Sequence, residues 1–364
     1  MKVHITLVGG QPAPVYNGIM ATQPEKIVFV YSDKSRETAE RISKEVKILS
    51  ERRKMDPVNL NDIERKVLQC AEQFKDDEVS VNISSGTKPW AFYFAKIFGV
   101  LPNATLFYVD QNNTLWNLTD KSSRKVDFDM DAQFRLLGNP LETYIDIKGI
   151  TKDDKQVLND IQELVDFNRD TFFRLVSETN AKPHLTKHIL PNGSFLEWDK
   201  KQKQFVMTVS KGKEVLKKTL KSKNVRTFLL KAGWFEHKVA SMLEKWDKSK
   251  TIRMNCIFPY RDSATKNEID VIVATESKLL FVECKTQIED NTDIDKFSAA
   301  VKNYGGMGSK AIFVTDSKMS AKAKEKCEDN GILTFSLHDE HLGIDPVKAL
   351  SMLLDSELFN INTK

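Results

Sequence analysis

Residues 268–285 read EIDVIVATESKLLFVECK, and this stretch decides the fold of the C-terminal part of the chain. Residues 271–274 and 279–282 are continuous apolar runs of strand length, and the polar residues 275–278 separate them. Such runs are typical of strands that are buried on both faces of a sheet. The stretch therefore predicts a central β-hairpin with polar residues at its open end.

Three charged residues, Asp270, Glu283 and Lys285, lie toward the open end of this hairpin. With Glu276 and Ser277 as a two-residue turn, Asp270 falls directly opposite Glu283, and such pairs share one face with Cα atoms about 4.5–5.5 Å apart. Lys285 lies two residues beyond Glu283 and therefore shares its face. We expect two carboxylates and one amine to converge there.

Two opposed carboxylates in a buried place favour a divalent cation. Like charges at that distance raise one pKa steeply, and carboxylate oxygens suit Mg²⁺ or Mn²⁺. We predict Asp270 and Glu283 as side-chain ligands of the metal, with the backbone carbonyl of Cys284 as a third. Lys285 would position or activate an attacking water and stabilise charge on a phosphate. A structural Asp–Lys or Glu–Lys pair is the alternative, but buried ion pairs are costly.

A predicted helix precedes the hairpin and adds a third acid. Phe235, Val239, Met242 and Trp246 form an apolar stripe at helical spacing. Glu236 lies at the edge of this stripe, where we expect it to help hold the metal or a bound water. The other predicted elements of this region are a strand at 251–258, a turn-rich stretch at 259–266, a helix at 295–304, a strand at 310–315, a helix at 318–329 and a strand at 332–335.

The first 145 residues alternate strand and helix patterns. Their near-continuous apolar strands indicate a mainly parallel sheet with helices on both faces, which is a Rossmann-like domain. The predicted strands are 3–8, 26–31, 79–83 and 105–109, and the predicted helices are 35–52, 63–74 and 90–100.

Small or polar residues follow three of these strands. Gly10, Gln11 and Pro12 follow the first strand, Ser32 and Asp33 follow the second, and Ser84, Ser85, Gly86, Thr87 and Lys88 open a helix after the third. Ligands bind at such strand ends in open α/β sheets. Hydroxyls, a glycine and a lysine at a helix N-terminus suit a phosphate or ribose, although plain N-capping by Ser or Thr explains part of the pattern.

Composition limits the remaining possibilities. Hydrophobic residues make up 40% of the 364 residues and charged residues 29%, which indicates a globular protein rather than a disordered one. The apolar runs are too short to span a membrane, and the four cysteines lack zinc spacing, so we expect a cytoplasmic protein.

Residues 146–224 are predicted to form a connecting region of winged-helix-like order, with a helix at 152–176 and a hairpin at 194–209. Residues 200–226 include ten Lys and Arg residues and a single acidic residue, Glu214. This basic run could contact phosphates, or it could simply be a solvated surface.

Glu236, Asp270 and the ECK sequence at 283–285 resemble the motif of the PD-(D/E)xK restriction-endonuclease-like superfamily. Residues 1–145 resemble a CARF domain, the CRISPR-associated Rossmann fold, in GGQP at 9–12 and NISSGTK at 82–88. Residues 225–364 would then form the nuclease domain. Both resemblances together point to the CARF nucleases of type III CRISPR systems.

This resemblance implies a homodimer whose paired CARF domains bind one cyclic oligoadenylate, expected to be cyclic tetra-adenylate. The implied ligand contacts are Gly10, Gln11, Pro12, Ser32, Asp33, Ser84, Ser85, Gly86, Thr87 and Lys88. Many relatives carry a Gly-rich or Thr-rich version of Ser84-Ser85. The activated protein would cleave single-stranded RNA and DNA, nick duplex DNA, or do both.

Two other functions compete with this one. A ligand-sensing transcription regulator would use residues 146–224 to bind DNA, but it leaves the Asp270–Glu283–Lys285 face unexplained. A repair or restriction nuclease would cut without any activator.

Overall fold

The computed structural model describes residues 1–259, 267–286, 292–306, 308–339 and 343–361. Most of the turn-rich stretch predicted at 259–266 therefore lies outside the described residues. The described helices include none that is long and apolar enough to cross a membrane.

The first sheet has seven strands in the order β3-β2-β1-β4-β5-β6-β7, and β1 to β5 are parallel. This confirms the predicted Rossmann-like arrangement. Its strands are β1 Lys2–Leu7, β2 Lys26–Tyr31, β3 Leu49–Lys54, β4 Glu78–Asn82, β5 Ala104–Val109, β6 Thr114–Asn117 and β7 Ser123–Lys125. The helices around it are α1 Ala13–Thr22, α2 Arg36–Val46, α3 Leu60–Gln73, α4 Lys88–Phe98 and α5 Met130–Leu136.

The helix predicted at 35–52 is wrong from Lys47 onward. Helix α2 ends at Val46, Lys47 takes a left-handed conformation with φ 52°, and β3 follows as the edge strand. Four of the six β3 residues are charged, so the strand lacks the apolar run that marks a buried strand. Charged residues are common on edge strands because they discourage pairing with other chains.

The connecting region forms a second, antiparallel sheet in the order β12-β11-β10-β9. The hairpin predicted at 194–209 is confirmed, whereas the single helix predicted at 152–176 is divided at Asn168, whose side chain accepts the Thr171 N–H and caps the second helix. The elements are α6 Lys152–Phe167, α7 Arg169–Ala181, β9 Lys187–Ile189, β10 Phe195–Asp199, β11 Gln204–Lys211 and β12 Glu214–Leu220.

The third sheet has the order β17-β16-β15-β14-β13-β8. Neighbours from β8 to β15 are antiparallel, and β15, β16 and β17 are parallel. Its strands are β8 Thr143–Asp146, β13 Thr251–Phe258, β14 Asn267–Ala274, β15 Leu279–Lys285, β16 Lys310–Thr315 and β17 Ile332–Ser336, and its helices are α8 Val225–Leu230, α9 Gly233–Glu244, α10 Thr292–Tyr304, α11 Ala321–Asp329 and α12 Pro346–Phe359.

The register predicted for the β14–β15 hairpin is confirmed. Ala274 pairs with Leu279 and Val271 with Val282. The Thr275 N–H donates to the Lys278 carbonyl at 2.9 Å, which closes a two-residue turn. The open end of the hairpin therefore brings residues 270 and 283 to the same level of the sheet.

Helix α5 joins the first sheet to the third. Ala132 and Leu136 pack in a cluster with Val15 of α1, whereas Phe134 packs edge-on against Phe258 of β13 with ring centroids 5.1 Å apart. The two parts of the chain therefore share a packed helix rather than an open linker.

Candidate functional sites

The open end of the β14–β15 hairpin carries three predicted site residues, Asp270, Glu283 and Lys285. The Cys284 N–H donates to Oδ2 of the half-buried Asp270 at 2.7 Å. Glu283 Oε1 lies 2.9 Å from Lys285 Nζ, and these side chains are 12% and 32% exposed. The structure thus holds one carboxylate by a backbone donor and the other by an ammonium group.

Glu236 reaches the same place from helix α9. It is 9% exposed, and its Oε2 accepts a hydrogen bond from Asn255 Nδ2 at 2.8 Å. The Glu236 carboxylate contributes electrostatically to the raised pKa of Asp270. The structure therefore brings together the four residues that the sequence analysis assigned to catalysis.

Asn255 is a site residue that sequence reasoning missed. In a regular strand, side chains at even positions lie on one face. In β13, however, Ile252 and Met254 pack in one apolar cluster, whereas Cys256 and Phe258 pack in another. Strand β13 therefore exchanges its faces at Asn255, which adopts φ 48°. An asparagine inside a strand is the available signal, because asparagine tolerates the left-handed region better than most residues.

Burial and like charge raise the pKa of the acids at this site. Burial, followed by the Glu283 and Glu236 carboxylates, holds the pKa of Asp270 well above its usual value. Burial, followed by Glu268 and Glu283, raises the pKa of Glu236 to about 8. Burial also raises the pKa of Glu283, although Lys285 opposes the shift.

Lys285 responds in the opposite sense to the same surroundings. Burial acts to lower its pKa, but the Glu283 and Asp270 carboxylates outweigh burial and raise that pKa above its usual value. The ammonium group is therefore held as a cation. This positive charge offsets part of the negative charge that the Glu283 and Asp270 carboxylates carry when they ionise.

The donor set fits a hard divalent cation. The part of the chain that the structure describes has no preformed cage of three or more His, Cys, Asp or Glu side chains. Mg²⁺, however, is usually bound through one or two carboxylates, with waters and substrate phosphates completing its shell. Asp270 and Glu283 supply two carboxylates, and a cation between them would relieve the like-charge repulsion that raises the Asp270 pKa.

The predicted ligand loops meet at the first sheet, where β1 and β4 are neighbours. The Gly9 N–H donates to Ser85 Oγ at 3.0 Å. A Cβ on Gly9 would lie 2.7 Å from Ser85 Oγ and 2.8 Å from Gly86 N, so only glycine allows this approach. The chain leaves these adjacent strands in opposite directions, which makes this the switch point where α/β sheets bind ligands.

The loop after β4 is ordered by its own hydrogen bonds. Thr87 Oγ1 accepts the Trp90 N–H at the start of α4 and donates to the Pro57 carbonyl at 3.0 Å. Ser84 Oγ accepts the Val109 N–H at 2.7 Å. These two hydroxyls therefore have partners within the chain, whereas Lys88, the first residue of α4, is exposed.

The remaining predicted ligand residues differ in exposure. Gly10 and Gln11 are exposed, and a Cβ on Gly10 would meet nothing within 4 Å. Pro12 is buried at the start of α1. The Ser32 N–H donates to Ser35 Oγ at 3.0 Å, and Asp33 pairs with Lys54 Nζ at 2.8 Å. Lysine therefore offsets the one acidic side chain among these predicted contacts.

Two asparagines connect the first domain to the turn of the β14–β15 hairpin. Asn17 Nδ2 on α1 donates to Asn113 Oδ1 at 2.9 Å, and both residues are buried. Asn113 Nδ2 then donates to the Glu276 carbonyl at 3.2 Å. Helix α1 follows the 9–12 loop, so these hydrogen bonds connect the helix after a predicted ligand loop with the turn of the hairpin.

The basic run of the second sheet is partly used within the chain. Lys218 Nζ lies 2.9 Å from Asp160 and 2.5 Å from Glu163. The Arg226 guanidinium lies over the Trp198 ring, 5.1 Å from its centroid. The other lysines of the run are exposed at the end of β11, on β12, in the turns before these two strands and in the segment after β12.

Family models match both halves of the chain. A model of the Card1 CARF domain matches residues 3–135, and a model of the Card1-like endonuclease domain matches residues 223–333. A comparison with curated proteins finds no match.

Solved structures share this fold at low sequence identity. Can2 from Sulfobacillus thermosulfidooxidans, solved in complex with cyclic tetra-adenylate, is 18% identical with a TM-score of 0.69, over 98% of this chain and 99% of that one. Protein VC1899 from Vibrio cholerae is 17% identical with a TM-score of 0.72, over 98% of each chain.

A third solved structure is a type III CRISPR defence DNA nuclease activated by cyclic oligoadenylate, which is 16% identical with a TM-score of 0.58. The alignment covers 93% of this chain and 48% of that one, so this chain spans about half of its length. The family matches assign the two parts directly: the chain joins a Card1-type CARF domain at residues 3–135 to a Card1-like endonuclease domain at residues 223–333.

Proposed function

We propose that this chain is an endonuclease that depends on Mn²⁺ or Mg²⁺ and is activated by cyclic tetra-adenylate in type III CRISPR antiviral defence. One observation carries the proposal: Glu236, Asp270, Glu283 and Lys285 meet at the end of a buried hairpin, inside the range that matches an endonuclease domain. A structural ion pair needs one acid and one base, so it does not explain why three acids gather around one lysine. A phosphodiester hydrolase that binds a divalent cation needs such a cluster of acids.

Each residue of the nuclease centre has a distinct role. Asp270, Glu283 and the backbone carbonyl of Cys284 are assigned as ligands of the divalent cation, which when bound polarises the scissile phosphate and offsets its charge. Lys285, held as a cation, stabilises charge on the phosphate and orients the attacking water. Glu236, fixed by Asn255, holds a water at the edge of the site.

The ligand loops suit a cyclic oligoadenylate. Lys88 and the N-terminus of α4 provide a cation and the positive end of a helix dipole for a phosphate. Gly10 leaves open space beside the same loops. A cyclic tetranucleotide has two-fold symmetry, so a homodimer can offer each half of the ring the same residues. The fold shared with a protein solved in complex with cyclic tetra-adenylate supports this activator.

The hydrogen bonds through Asn17 and Asn113 support activation of the nuclease by the sensor domain. They connect the helix after a ligand loop with the turn of the hairpin that carries Asp270 and Glu283. A ligand that binds one arrangement of these parts more tightly than another shifts the population toward it.

Cleavage assays test the proposal. The purified full chain is incubated with Mn²⁺ or Mg²⁺ and labelled single-stranded RNA, single-stranded DNA or supercoiled plasmid, with and without cyclic tetra-adenylate. We expect cleavage of single strands, nicking of plasmid, or both, only when cation and activator are present. Glu283→Ala is the matched inactive variant, because it removes one predicted ligand and leaves the sensor loops intact.

Three outcomes would overturn the proposal. Tight binding of cyclic tetra-adenylate and duplex DNA without cleavage would indicate a transcription regulator that uses residues 146–224. Cleavage at full rate without activator would indicate a constitutive nuclease. Cleavage retained by Glu283→Ala would move the catalytic centre away from the hairpin.

A further inference from the structure

We propose that Arg169, in the region between the two matched domains, is a positioning residue of the nuclease centre. It fixes the end of strand β15 and thereby the backbone of Lys285. The inference rests on the proposed function, because it assigns a role through Lys285. It also assigns the connecting region a role in catalysis that the sequence analysis did not predict.

Arg169 is the first residue of α7, and its guanidinium contacts the ends of two strands of the third sheet. Nη1 pairs with the Asp316 carboxylate. Nη2 donates to the Asp316 carbonyl at 3.0 Å and to the Thr286 carbonyl at 3.5 Å. The guanidinium also lies over the Phe173 ring, 4.9 Å from its centroid. One side chain therefore holds the residue after β15 and the residue after β16 together.

Asp316 completes the link to the nuclease centre. Its N–H donates to the Lys285 carbonyl at 3.1 Å, directly after the last β15–β16 pair, which is Lys285 with Thr315. Asp316 is 3% exposed. Its backbone fixes Lys285, and its buried carboxylate is in turn fixed by Arg169. Beyond Thr286, the next five residues lie outside the described part of the chain.

Among the described residues, the other basic side chains near Asp316 are more distant. Lys238 Nζ lies 4.0 Å and His338 Nε2 3.8 Å from Oδ1, on side chains that are 36% and 53% exposed. Arg169 therefore makes the short contact to this buried carboxylate, and its planar fork serves several acceptors at once. Because acceptors of the chain itself occupy these donors, we assign Arg169 to positioning Lys285 rather than to binding the substrate phosphate.

Kinetics of three variants test the proposal under saturating cyclic tetra-adenylate and Mn²⁺. Arg169→Ala removes the link, and Arg169→Lys keeps the positive charge but loses the planar fork that serves several acceptors at once. Arg174→Ala, an exposed arginine of the same helix, is the matched control. We expect Arg169→Ala to lower kcat about 10–100-fold, as misplacement by about 1 Å does. KM and activator affinity should stay within about twofold, Arg169→Lys should recover part of kcat, and Arg174→Ala should match the wild type.

A second readout does not depend on cleavage. Hydrogen exchange of the amides at 279–286 in the presence of a chelator should become about threefold faster or more in Arg169→Ala and remain unchanged in Arg174→Ala, because loosening a strand end raises local opening. If Arg169→Ala fails to fold, the double variant Arg169→Gln/Asp316→Asn replaces it, since it leaves no buried charge unpaired. We expect the same loss of kcat and the same faster exchange.

The outcomes separate this inference from the proposed function. If the wild type cleaves and Arg169→Ala cleaves within twofold of it, the positioning role is wrong. A raised KM with unchanged kcat would instead make Arg169 a phosphate contact and overturn the inference. If the wild type never cleaves, the proposed function fails, and exchange at 279–286 still decides whether Arg169 fixes the strand.

Discussion

Neutralising Glu236 is expected to stabilise the cation-free protein, by an amount that grows as the pH rises from about 4.5 to about 8. Glu236 is 9% exposed, and burial, followed by the carboxylates of Glu268 and Glu283, raises its pKa to about 8. The Glu236→Gln variant removes the ionisable group. It keeps the side-chain oxygen that accepts the hydrogen bond from Asn255.

The size of the effect follows from this pKa. In the unfolded chain a glutamate ionises near 4.5, whereas the folded protein retains the proton up to about 8. The folded state therefore binds more protons between these values, and its stability falls as the pH rises through that window. At about 1.4 kcal/mol per pKa unit, the shift limits the difference in free energy of unfolding between Glu236→Gln and the wild type to roughly 4–5 kcal/mol. Relaxation and water entry reduce such penalties, and we expect about 2 kcal/mol.

Thermal unfolding of the full chain in chelator, between pH 4.5 and 9, measures the difference. The unfolding temperature of Glu236→Gln should equal that of the wild type near pH 4.5 and exceed it by about 4 °C at pH 8. Added Mn²⁺ should stabilise the wild type more than the variant. Glu244→Gln, an exposed glutamate of the same helix, is the control. A difference that is the same at every pH would refute the reasoning.

Three further predictions concern activity. Glu283→Ala should abolish cleavage and leave binding of cyclic tetra-adenylate within twofold; loss of that binding, measured by calorimetry, would contradict the division of roles between the domains. Lys88→Ala should weaken cyclic tetra-adenylate binding roughly 10–100-fold, the value of one charge-assisted hydrogen bond, while Mn²⁺-induced thermal stabilisation stays unchanged. Asn113→Asp keeps the acceptor for Asn17 but replaces the donor to the Glu276 carbonyl. We expect the ratio of cleavage rates with and without activator to fall about tenfold, within the usual range of coupling energies, and an unchanged ratio would exclude this contact from activation.

The hairpin could be predicted from the sequence because its rules are local. Two apolar runs joined by a two-residue turn allow one register, and that register puts residues 270 and 283 opposite each other. The paired strands confirm it from Val271 to Ala274. Strands β1, β2, β4 and β5 of the first sheet were also predictable, because buried parallel strands have continuous apolar sequences.

The missed features depend on contacts that are distant in sequence. Strand β3 is charged, and pairing with β2 decides its structure. Asn255 becomes a site residue because β13 exchanges its faces there and Glu236 packs nearby. Arg169 is separated from Asp316 by 147 positions in the chain. No local pattern could reveal these partnerships.

The β14–β15 hairpin determines how a displacement at its contact with the first domain would reach Asp270 and Glu283. Asn113 contacts it at the turn, whereas Asp270 and Glu283 sit at its far end, and four residue pairs buried in the sheet join the two ends. Strands β14 and β15 also pair with β13 and β16, so the hairpin is a rigid part of the sheet. A displacement at the turn would therefore carry Asp270 and Glu283 together and keep their spacing, whereas Glu236 belongs to helix α9, outside the sheet.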